Sequence, residues 1–137
     1  MRLVIFLFTL FTVWACSKSD EAVPANALVG TWRLATYCKP TSGSACTSVT
    51  VPAGKNVFAD FTNNGTFNER YENTKPVEYG FLGCGGGTYQ IEGDNLRITA
   101  SCMSSTYGQL FPILSINPDR LTLNPFGTGE YIFERIH

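Results

Sequence analysis

The chain has 137 residues, ten basic and eleven acidic, for a formal charge of −1. Charge this balanced, with no Lys/Arg cluster, argues against a nucleic-acid partner. The single histidine, His137, leaves no base for a Ser–His–Asp or Cys–His site, and the length suits one small domain rather than two.

Residues 1–15 read MRLVIFLFTLFTVWA: a positive charge at Arg2, an apolar run from Leu3 to Trp14, then small Ala15. That is the layout of an export signal, and a membrane-spanning helix would need roughly 20 apolar residues. Cys16 comes next, ahead of polar Ser17-Lys18-Ser19-Asp20-Glu21. The segment Val13-Trp14-Ala15-Cys16 resembles the lipobox of bacterial lipoproteins, with Trp14 bulkier than the residue usual there. The resemblance implies cleavage before Cys16 and acylation of its thiol with palmitate-type chains, where plain secretion would leave a spare thiol. Two or three acyl chains hold a protein firmly at a bilayer. The expected location is a bacterial cell envelope, as an outer-membrane lipoprotein on the periplasmic face or the cell surface. Residues 16–27 then form the lipidated cysteine and a flexible tether, small, polar and broken by Pro24. Asp20 and Glu21 resemble the acidic export tag of surface lipoproteins, although a solvated linker is the plainer reading.

Five cysteines are an odd number, and lipidation of Cys16 leaves Cys38, Cys46, Cys84 and Cys102. In an exported chain an even set reads as disulfides, with three pairings open to it. Cys38–Cys46 and Cys84–Cys102 are favoured, because each brackets a turn-rich stretch without a long-range crossing. A zinc site would want close pairs such as Cys-x-x-Cys, and none occurs.

From Leu28 onward the chain alternates short β-patterned runs with turn chemistry. Gly30–Tyr37 comes first, and residues 38–55 read as a stapled loop over one barrel end. Asn56–Thr62 meets the hairpin signal Asn63-Asn64-Gly65. Thr66–Glu72 returns with Phe67, Glu69 and Tyr71 on one face and Asn68 and Arg70 on the other. Beyond Pro76 and the Gly83–Gly87 cluster, Thr88–Ile91 turns at Gly93-Asp94 into Asn95–Cys102, where Leu96, Ile98 and Ala100 alternate with Arg97 and Thr99. Gln109–Ile116 contains Pro112, the weakest point in the pattern because proline cannot donate to a ladder. Arg120–Asn124 and Glu130–Ile136 complete eight strands, with no helix predicted.

The predicted fold is all-β: an eight-stranded antiparallel up-and-down meander over 28–137 closing into a barrel, with an open sandwich as the alternative. Closure removes the edges that invite aggregation. Leu28-Val29-Gly30-Thr31-Trp32-Arg33-Leu34 looks like the Gly-x-Trp opening strand of lipocalins. With Phe61-Thr62-Asn63-Asn64-Gly65-Thr66-Phe67, Gly87-Thr88-Tyr89-Gln90-Ile91, Asp94-Asn95-Leu96-Arg97-Ile98 and Tyr131-Ile132-Phe133-Glu134-Arg135, the domain resembles the small lipocalin-like lipoproteins of bacterial envelopes. The resemblance implies that Trp32 plugs the closed end of the barrel with Arg135 lying across its ring. The helix that lipocalins carry after the eighth strand is not expected, since His137 follows that strand directly.

An eight-stranded barrel either packs solid or encloses one small ligand. Phe61, Phe67, Glu69, Tyr71, Tyr89, Tyr131 and Phe133 are the candidate lining of such a site, though ordinary core is the plainer account of the rings. Glu69 is the one carboxylate on an apolar face; a solvated glutamate is the ordinary expectation. Glu72 falls on the opposite face, so no carboxylate pair forms. The glycine cluster leads into a strand, whereas phosphate loops lead into a helix. No enzyme activity, metal or cofactor is expected. The expectation is a monomeric binder of a small hydrophobic or amphipathic molecule, or else a filled barrel serving as inhibitor or accessory subunit of an envelope complex.

Overall fold

The computed structural model of the protein describes residues 23–24, 26–39 and 46–137. The export signal, Cys16 and the tether up to residue 22 lie outside them. The strands are β1 (Gly30–Lys39), β2 (Thr47–Thr50), β3 (Asn56–Phe61), β4 (Thr66–Glu72), β5 (Gly86–Glu92), β6 (Asn95–Ala100), β7 (Gln109–Ile116), β8 (Arg120–Leu123) and β9 (Tyr131–Ile136). One helical turn, α1 (Pro76–Tyr79), lies between β4 and β5.

Consecutive strands pair antiparallel from β3 to β9, and β1 joins β3 to β9 to close the barrel. All eight expected strands are present. The ninth, β2, corrects the reading of 38–55 as a loop. It pairs with the second half of β1 (Thr36↔Thr50 to Lys39↔Thr47), while β3 pairs with the first half (Gly30↔Phe61 to Arg33↔Phe58). Thus β2 and β3 form one stave, broken at 51–55 and sharing one edge of β1.

Each strand follows the period of two that its sequence carries. β3 points Val57, Ala59 and Phe61 inward; β6 does so with Leu96, Ile98 and Ala100, and β9 with Tyr131 and Phe133. Phe58 faces outward, beneath the Arg70 guanidinium at 4.8 Å. Pro112 sits within β7 because its carbonyl accepts from Asn124, which places its missing N–H beside the end of β8 rather than within a ladder.

The barrel has two unlike ends. The turns β3–β4, β5–β6 and β7–β8 gather with residues 23–29 at the end where β1 begins. Residues 73–85, 101–108 and 124–130 gather at the other, together with the disulfides Cys38–Cys46 and Cys84–Cys102.

Candidate functional site: the lidded end of the barrel

At the closed end, Trp32 stands opposite Arg135 across the β1–β9 ladder. Its indole N–H donates to the Leu28 carbonyl at 2.8 Å. The Arg135 guanidinium lies 4.0 Å from the ring centroid. It donates to the carbonyls of Pro118 (2.5 Å), Val29 (2.7 Å) and Ala27 (2.7 Å). The Gly-x-Trp glycine has a physical reason: Gly30 holds φ +136°, and a Cβ there would come within 2.5 Å of Arg135 Nη1. A groove of about 550 Å³ lies outside this plug, between Pro24, Ala27, Val29, Ile116 and Pro118.

The other end is closed differently. The β4–β5 ladder runs only from Thr66↔Thr88 to Asn68↔Gly86, followed by a bond from the Glu69 N–H to the Gly85 carbonyl. Beyond it the strands part, and residues 73–85 fold over the barrel as a lid. The lid drives Phe81 inward, where it is 4 % exposed. Its ring centroid lies 6.4 Å from Phe67, 5.6 Å from Phe111, 5.8 Å from Tyr131 and 5.3 Å from Phe133. Spacings and tilts of this kind suit offset and edge-to-face aromatic contacts. A loop residue therefore fills the space enclosed by rings from β4, β7 and β9.

Glu69 holds the lid in place. It is 4 % exposed, which corrects the expectation of a solvated glutamate. Oε1 accepts from the N–H groups of Phe81 (2.8 Å) and Leu82 (3.1 Å), and Oε2 from Leu82 (3.1 Å) and Gly83 (2.8 Å). The Tyr71 hydroxyl donates to Oε1 as well. A carboxylate buried without partners costs several kcal/mol; this one is fully engaged. Burial, followed by the neighbouring carboxylate, raises the Tyr71 phenol well above its ordinary range, so it remains a donor.

Weaker ties fix the lid's outer side. The Tyr37 hydroxyl donates to the Glu78 carbonyl at 2.8 Å. The Glu78 carboxylate meets Lys55 at 3.1 Å and the Thr74 hydroxyl at 2.7 Å. Cys84–Cys102 fastens the lid's base to the 101–108 loop.

The seven candidate lining residues fall into two groups. Phe61 packs on Phe67 (5.4 Å) and Tyr89 (5.0 Å) deeper in the barrel, where the Tyr89 hydroxyl donates to the Thr62 carbonyl at 2.8 Å. Tyr131 and Phe133 join Phe67 around Phe81, with Glu69 and Tyr71 at the lid. Burial, then the Tyr37 hydroxyl nearby, push the Tyr131 phenol up to about 12. Sequence reasoning missed Phe81. The available signals were a β4–β5 connection long for a meander, and a glutamate on the otherwise aromatic face of Phe67 and Tyr71. Among the described residues no three His, Cys, Asp or Glu side chains gather as metal ligands, and no helix is long and apolar enough to cross a membrane.

Comparison with known proteins agrees with this architecture. Residues 28–123 match the model of the lipocalin-like domain family. Among solved structures, a lipocalin-like protein from Bacteroides uniformis is similar at 19 % identity and a TM-score of 0.55, over 80 % of this chain and 99 % of its own. An uncharacterised protein from Bacteroides eggerthii is similar at 17 % identity and a TM-score of 0.54, over the same shares of the two chains. At these identities the likeness speaks for the fold alone. No curated protein matches. The family match spans most of the barrel, from the opening strand through β8, and the chain belongs to the lipocalin-like domain family.

Proposed function

We propose that this protein is an envelope lipoprotein, anchored through Cys16, whose barrel binds a small hydrophobic or amphipathic molecule beneath its lid. One observation carries the binding role: the ring at the centre of the lidded end comes from a loop. The barrel frame is complete without it, since every stave is paired and the closed end has its own plug. The central ring is thus supplied by a connection whose one buried polar tie to the barrel wall is Glu69, rather than by a strand of the frame. Lifting the lid would leave an apolar, ring-lined chamber with the Glu69 carboxylate and the Tyr71 hydroxyl at its mouth, and a few polar groups in an apolar lining are the usual composition of a ligand site.

Native mass spectrometry of the protein purified without detergent tests the binding role, with a co-purifying small molecule as the expected result. Metabolic labelling with an alkyne fatty acid tests the anchor; the label should appear on the protein and vanish in Cys16→Ser. The second reading, an inhibitor or accessory subunit, rests on the rim, where Val77 is 88 % and Tyr107 83 % exposed. Absence of any bound small molecule, with loss of a co-isolated envelope protein on changing Val77 and Tyr107 to serine, would favour that reading.

A further inference from the structure

The ligand class can be narrowed by asking what the lid leaves behind. The lid contributes two things to the barrel interior: a flat ring in a cage of Phe67, Phe111, Tyr131 and Phe133, and three N–H donors on one carboxylate. A ligand that displaces it must replace both. The ring is easily replaced by any compact apolar or aromatic group. The donors are not, because Glu69 would keep only the Tyr71 hydroxyl while still buried among aromatic residues. An anionic ligand would add repulsion at that point, and a neutral one would leave acceptor sites empty at the cost of an unpaired buried charge. A protonated amine presents three donors from one atom and a compensating charge.

We propose that the lidded chamber takes a cationic amphiphile, an organic amine with a compact apolar or aromatic body, whose ammonium group replaces the lid's three N–H donors on Glu69. This rests on the binding role proposed above and specifies it. The means of opening are local. The segment between Asn73 (φ 53°) and the left-handed glycines Gly83 (φ 72°) and Gly85 (φ 77°) can swing on residues that tolerate large φ changes, while Cys84–Cys102 keeps its base in place.

The test is a calorimetric titration of the full chain in zwitterionic nanodiscs, with empty nanodiscs subtracted, using phenylbutylamine, phenylbutanol and phenylbutanoate. Their bodies match, and only the head group differs. Amide hydrogen exchange is followed in parallel. The amine should bind at least ~10-fold more tightly than the alcohol, as one charge-assisted contact warrants, and the carboxylate most weakly. On amine binding, the amides of Phe81, Leu82 and Gly83 should lose protection as they leave Glu69. In Glu69→Gln the preference for the amine should vanish. Should that variant not fold, the wild-type ranking and the exchange at 81–83 decide the matter by themselves. Equal affinity for amine and alcohol, or amine binding that leaves 81–83 protected, overturns the cationic assignment and leaves the barrel a binder of another kind. Binding of none of the three, in the wild type or in Phe81→Ala with its emptied cage, overturns the binding role as well.

Discussion

Arg135 engages three carbonyls from two separate segments and covers an indole face at the same time, so its value lies in the shape of its fork as much as in its charge. Arg135→Ala should cost roughly 2–3 kcal/mol, lowering the melting midpoint by about 10 °C in a domain of this size. Arg135→Lys should lose most of the same amount, because a single ammonium cannot span the three acceptors. Gly30→Ala should be destabilising through the same residue, since the new methyl intrudes on Nη1. Its cost should shrink in the Arg135→Ala background, and thermal melts of the four-protein cycle read that coupling directly. Asp60 offers a test by pH. Burial pushes its carboxyl up, but hydrogen bonds from Arg70 (2.6 Å) and Thr31 (2.7 Å) outweigh that and hold it below the ordinary carboxylate range. The folded form therefore binds its proton less readily than the unfolded chain does. The stabilisation is present above the unfolded value of about 4 and is lost as pH falls through the lower folded value. Denaturation midpoints measured from pH 7 down to 3 should fall less steeply in Asp60→Asn than in the wild type.

Among the elements, the lid and the barrel frame should behave as separable units. Removing Cys84–Cys102 by a double serine substitution frees the lid's base, and closing a loop of that length stabilises a fold by ~3 kcal/mol in the chain-entropy account. Hydrogen exchange should accelerate across 73–85 and leave the β1–β9 ladder protected. Equal loss of protection at both ends would mean that lid and barrel unfold together. The same division explains what the sequence made legible. Strands with one buried face announce themselves by alternation, as β4, β6 and β9 do. β2 does not, because Thr47, Ser48 and Thr50 are exposed on an appended half-stave and only Val49 is half-buried. α1 buries none of its residues and so has no helical period to read. β5 begins at Gly86, two residues earlier than expected, because glycines pair with Asn68 and Phe67 without contributing a side-chain pattern. The place of Glu69 on the face of Phe67 and Tyr71 was legible, but a solvated side chain was the expectation and its burial was not. Its role was not legible either, because its partners on the lid are backbone N–H groups, which no residue type advertises.

At the scale of the whole molecule, the two ends divide the labour. The described chain enters at the Trp32 end, with Ala27 and Val29 bound to Arg135, and both disulfides and the lid sit at the far end. Under the anchor proposed at Cys16, the membrane would lie nearer the sealed end and the lid would face the aqueous side. Proteolysis of membrane-bound protein should accordingly nick near Val77 or Tyr107 before it reaches the turns at the Trp32 end. Phe81 also changes what an affinity means in this protein. In the closed form the space beneath the lid holds Phe81 of its own chain, so the proposed ligand would enter as a competitor, and its observed dissociation constant would be the intrinsic one divided by the fraction of open molecules. Were the open form about 1 % of the population, a ligand of intrinsic ~10 nM affinity would register at ~1 µM. Weak apparent binding would then measure the strength of the intramolecular rival rather than a poor fit to the chamber.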